Sequence, residues 1–113
     1  MSIKLCNALI LVTLTHQLGY ANDVNYLISR GEQVYYQHCI GCHGPKANNK
    51  AFGHGRALIE LNETMLKERI EMLKIQKFNE RTIEYTMSRK LQLLNEEDCG
   101  SLIAYILSLA SAK

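Results

Sequence analysis

Residues 31–43 read GEQVYYQHCIGCH, so Cys39, Cys42 and His43 follow directly on a segment whose apolar and small residues recur at helical spacing. This periodicity predicts a helix that runs to about His38 and places Cys39 at its end. The two thiols and the imidazole are therefore expected to lie close together, where one helix stops.

The order of these residues is the C-x-x-C-H signature of haem attachment. Two intervening residues bring the thiols of Cys39 and Cys42 to the separation of the two vinyl groups on one side of a porphyrin. The next residue then lies under the ring, so the imidazole of His43 can reach the iron as the proximal ligand. The motif predicts one covalently bound haem c, held by both cysteines and ligated by the histidine.

Two other uses of a cysteine pair are less well supported. A redox-active C-x-x-C lies at a helix start in a βαβ context, and no strand pattern accompanies this motif. A structural zinc site needs further ligands at knuckle or finger spacing, and the sequence has no second Cys pair. Haem attachment is therefore the favoured interpretation.

The first 21 residues have the layout of a secretory signal peptide. A lysine near the start precedes a mostly apolar segment, Leu5–Leu18, and small residues end at Ala21, after which we expect cleavage. The apolar run is too short and too interrupted for a comfortable membrane span, although a retained anchor is the alternative. We predict a signal peptide over residues 1–21, a domain over residues 22–113 and a periplasmic location.

The charge balance indicates which partners the chain can bind, and the cysteine count indicates whether it forms disulfides. The chain has 13 basic and 11 acidic residues, and the signal segment removes one lysine and no acid. So even a balance of basic and acidic residues does not indicate binding to nucleic acid or to a membrane surface.

Three cysteines remain after export, and the odd count argues against a simple disulfide framework. Cys99 is expected to be a buried, inert thiol on the apolar side of the last helix.

The rest of the chain predicts an all-α domain of about four helices. Asn62 and Asn95 are good N-caps, and each precedes apolar residues at helical spacing. A short helical turn is expected after Asn79. No segment shows the sustained alternation of a strand, so the sequence predicts a small helical fold around one haem.

Together these segments resemble the class I c-type cytochromes, especially the short single-haem bacterial kind. Gly31, Tyr35 and the C-x-x-C-H motif are similar to that family's first helix, and residues 102–106 are similar to its last helix. The resemblance implies that the two helices cross closely, with Gly31 against Tyr105. It also implies that this crossing assembles the haem pocket.

The resemblance further implies a methionine as the second axial ligand, from a loop shortly before the last helix. Met87 precedes the Asn95 cap by eight residues and is the distal ligand that we favour. Met65 and Met72 fall in the second helix, where a methionine is more often core filler. His54, in a loop flanked by glycines, is a rival ligand.

Two further predictions concern the orientation of His38 and the hydrogen bond that orients the imidazole of His43. His38 adjoins the motif and is expected to point outward. Many relatives orient the proximal imidazole with the carbonyl of a downstream proline, and here only Pro45 follows His43. A carbonyl near residues 53–56 is expected to take that role, because such bonds tune a metal site.

The resemblance implies outer-sphere electron transfer between redox proteins that are membrane-bound or periplasmic. No general acid, base or nucleophile constellation accompanies the motif, so we do not predict an enzyme, and we expect a monomer. Two alternatives remain open: a haem subunit permanently bound to a larger oxidoreductase, and a haem-based sensor with an open distal site.

Overall fold

The computed structural model describes residues 23–53 and 55–112. These residues form α1 (23–38), α2 (Ile40–His43), α3 (Glu63–Ile75), α4 (Ile83–Leu91) and α5 (Glu96–Ser111). Short 3-10 turns at Ala51–Gly53 and Leu58–Glu60 lie between α2 and α3. The described residues contain no strand, so the all-α prediction is confirmed, with α2 only one turn long. The predicted signal segment and His54 lie outside the described residues.

Asparagine side chains begin two of the helices, as predicted. The Oδ1 atom of Asn62 accepts a hydrogen bond from the backbone N–H three residues on, at 2.9 Å, and that of Asn95 does the same at 2.8 Å. Each bond satisfies a donor that the first helical turn leaves unpaired, which is worth about 1 kcal/mol of helix stability. These caps fix where α3 and α5 begin.

Helices α1 and α5 cross in close contact, as the family resemblance implies. A Cβ atom placed on Gly31 would lie 1.9 Å from the carbonyl oxygen of Ser101 and 2.8 Å from Cβ of Tyr105. Only a residue without a side chain allows the backbones to approach this far. At the rim of the crossing, the guanidinium of Arg30 pairs with the carboxylate of Asp98 at 3.0 Å.

The core lies along this crossing and continues to α3 and α4. Tyr35 is fully buried and its ring lies tilted against that of Tyr105, with 5.4 Å between centroids. Helix α3 packs against both α4 and α5. In the described ranges, no helix is long and apolar enough to cross a membrane. The buried apolar residues are Val34, Tyr35, Cys39, Ala47, Ala57, Leu66, Leu73, Leu91, Leu94, Cys99, Leu102, Ile103, Tyr105 and Ile106.

Candidate haem site

The C-x-x-C-H motif forms a hydrogen-bonded turn at the end of α1. The N–H of Cys39 donates to the carbonyl of Tyr35 at 2.8 Å, and the N–H of His43 donates to the carbonyl of Cys39 at 3.0 Å. The motif therefore continues α1 into the single turn of α2. This arrangement holds both cysteines and the histidine on one short, regular stretch of backbone, as the sequence predicts.

The imidazole of His43 is buried without a polar partner. The residue is 6% exposed, and neither ring nitrogen has a hydrogen-bond partner among the described residues. A buried polar atom left unpaired costs about 1–3 kcal/mol, so the ring fits a bond to a group beyond the polypeptide. Burial, and secondarily the charge of Lys90, lowers the pKa of His43. The ring is therefore neutral at neutral pH, the form that ligates iron.

A cleft beside His43 is walled by several elements of the fold. Its lining residues are His38, Cys42, His43, Ala51, Phe52, Ile83, Thr86, Met87 and Lys90. The structure thus brings Cys42, His43 and Met87 to one cleft, with Met87 contributed by α4. Cys39 is buried at the end of α1 and is not part of this wall. The assignment of His43 and Met87 as iron ligands stays a prediction.

Met87 lies on a helix, so the expectation of a ligand loop is wrong. Helix α4 begins after Thr82, whose hydroxyl accepts a hydrogen bond from the N–H of Tyr85 at 3.2 Å. Ile83 and Met87 fall four residues apart on one face, and both line the cleft. The turn expected after Asn79 is thus followed by a nine-residue helix. No proline or glycine lies near Met87 to break it.

The other predicted ligand candidates lie in different surroundings. Met65 is 40% exposed, so its interpretation as core filler is wrong, because the buried positions of α3 are Leu66 and Leu73. Met72 is half-buried and packs against the core, as expected. Neither methionine lines the cleft. His38 was expected to point outward, but it is half-buried and forms part of the cleft wall.

The loop after His43 is held by contacts that the sequence did not predict. The hydroxyl of Tyr35 donates a hydrogen bond to the carbonyl of Gly44, and the N–H of Asn49 donates to the carbonyl of His43 at 3.1 Å. Gly44 has a φ of +79°, the left-handed region that favours glycine. No carbonyl of residues 53, 55 or 56 bonds the His43 ring, so the expected support is absent from this described stretch.

The raised pKa of Cys39 argues against the redox-disulfide interpretation. Cys39, Cys42 and Cys99 are free thiols. Burial raises the pKa of Cys39 to about 11, with the charge of Lys90 acting in the opposite direction. A redox-active C-x-x-C needs a thiol whose pKa is depressed. Across residues 23–53 and 55–112, no three His, Cys, Asp or Glu side chains are placed to hold a metal by themselves.

Comparison with known proteins identifies the family of the chain. The family model described as Cytochrome c matches residues 28–110 of the chain. The chain therefore belongs to the cytochrome c family, and the class I, single-haem resemblance is consistent with this match. Neither the curated proteins nor the solved structures contain a match. Membership of the family implies haem binding and haem-based electron transfer.

Proposed function

We propose that the protein is a single-haem electron carrier of the periplasm, with its haem held covalently by Cys39 and Cys42. The observation that carries the proposal is the buried His43, whose ring nitrogens have no partner among the described residues and which shares a cleft with Cys42 and Met87. When bound, the haem supplies a one-electron couple between ferrous and ferric iron.

Each side chain of the site has a definite role in this proposal. Cys39 and Cys42 would hold the haem through thioether links, and the neutral imidazole of His43 would ligate its iron. The thioether of Met87 would be the second protein ligand, and as a soft, neutral group it would favour the ferrous state. The cleft wall between them is largely apolar, with Ile83 and Ala51 among its residues. Such a lining would limit the contact of water with a bound haem and lower the local dielectric constant around it.

The proposal includes transient contact with redox protein partners, membrane-bound or periplasmic, by a monomer that is not itself an enzyme. The nearly even charge and the small size support weak, reversible docking. Phe52 is 66% exposed on the cleft wall and offers an apolar contact to a partner.

The experiment that tests the ligand assignment compares the variants Met65→Ala, Met72→Ala and Met87→Ala. Ferric haem with a methionine ligand has a weak charge-transfer band at long wavelength, and we expect its loss in the Met87 variant alone. Because the other two methionines do not line the cleft, their variants are matched controls. Survival of the band in the Met87 variant, with loss in another, would refute the assignment. Absence of the band from the wild type would make His54 the residue to test.

A further inference from the structure

Lys90 joins the helix that carries Met87 to the end of α1. Its Nζ atom donates a hydrogen bond to the carbonyl of His38 at 3.2 Å, between residues 52 positions apart in the chain. Lys90 lies three residues after Met87 on α4, and His38 immediately precedes Cys39. The bond therefore spans the two elements that supply the predicted distal ligand and the attachment motif.

The ammonium group of Lys90 places a charge at the cleft that no described acid neutralises. It is half-buried, and among the described cleft residues it is the only lysine, arginine, aspartate or glutamate. No carboxylate of residues 23–53 or 55–112 lies within ion-pair distance of it. Partial burial weakens screening by salt.

We propose that Lys90 is a positioning residue that holds α4 against the attachment motif and that its charge favours ferrous over ferric haem. The inference rests on the proposed function, since it requires a haem in this cleft. Oxidation adds one positive charge at the iron, so a cation in the same cleft disfavours it. Lys90 therefore raises the reduction potential.

The test measures the reduction potential of the holoprotein in three variants. Lys90→Gln removes the charge but leaves a polar amide, Lys90→Arg keeps the charge, and Arg89→Gln is the matched control. Arg89 is exposed on the same helix and is not part of the cleft wall. Its replacement by glutamine removes one positive charge, as Lys90→Gln does. We expect the potential to fall in Lys90→Gln by more than in Arg89→Gln, and to stay near the wild-type value in Lys90→Arg. The methionine charge-transfer band should also weaken in Lys90→Gln.

The outcomes separate this inference from the proposed function. If the purified wild-type protein contains no haem, the proposed function fails and the inference fails with it. If wild type keeps its haem, and the potential of Lys90→Gln falls no further than that of Arg89→Gln, only the inference is overturned. If Lys90→Gln yields no haem-containing protein, Lys90→Arg serves as the test. A reduction potential and a charge-transfer band like those of the wild type support the inference, and a clear fall in the potential contradicts it.

Discussion

Gly31 lies so close to Ser101 that a Cβ atom on the glycine would stand 1.9 Å from the carbonyl oxygen of the serine. This approach brings the backbone of α1 against that of α5. Because α1 ends at the attachment motif, the crossing also sets where Cys39 and His43 lie relative to the core. One glycine thus couples helix packing to the geometry of the site.

Replacing Gly31 with alanine should destabilise the protein. The added methyl group cannot be accommodated unless the helices move apart, and overpacking of this kind costs about 1–3 kcal/mol. The loss should appear as a lower midpoint in denaturant unfolding. Gly100→Ala is the control, because a Cβ there meets nothing within 4 Å and lies on α5. It should leave stability unchanged or raise it by about 0.5–1 kcal/mol, the helix propensity difference. Equal effects of the two changes would rule out the close crossing.

The buried hydroxyl of Tyr35 gives a second prediction. Tyr35→Phe keeps the packed ring but removes the hydrogen bond to the carbonyl of Gly44. Stability should fall by about 0.5–1.5 kcal/mol, the usual net value of such a bond. Tyr36→Phe is the matched control, since Tyr36 is 50% exposed. Thermal unfolding of both variants measures the difference, and an unchanged midpoint for Tyr35→Phe would contradict the role assigned to the hydroxyl.

Cys99 should make stability depend on pH in the alkaline range. Burial raises its pKa, which the ammonium of Lys74, 3.7 Å from the sulfur, only partly offsets. The folded state therefore keeps a proton that the unfolded chain loses above about pH 8.5. The contribution of the Cys99 thiol to the free energy of unfolding is fully present below that pH and is lost as pH rises through the pKa of the folded state. Between neutral and alkaline pH, the free energy of unfolding measured with denaturant should decline less in Cys99→Ala than in wild type. Identical declines would show that the thiol does not titrate differently on folding.

Features that depend only on residues close together in the chain could be predicted from the sequence. The caps at Asn62 and Asn95 depend on residues within one helical turn, so the starts of α3 and α5 follow from the sequence alone. The C-x-x-C-H spacing is equally local. The contact of Gly31 with Tyr105 crosses the whole domain, and only the family resemblance supplied it.

The features that sequence reasoning missed depend on long-range contacts or on a local signal that the family analogy outweighed. The bond from Lys90 to the carbonyl of His38 joins segments 52 residues apart, and no local pattern marks it. The bond from Tyr35 to Gly44 depends on how the chain turns after the motif. Met87 was assigned to a loop by analogy, whereas the cap at Thr82 was the local signal for α4.

The measurement that tests the central claim most directly is the intact mass of the exported protein under denaturing conditions. Thioether links to Cys39 and Cys42 survive unfolding, so the mass should equal the chain from Asn22 plus one haem. Cys39→Ala combined with Cys42→Ala should give the mass of the polypeptide alone. A wild-type chain that carries no haem after denaturation, or a double variant that still does, would contradict covalent attachment through this motif.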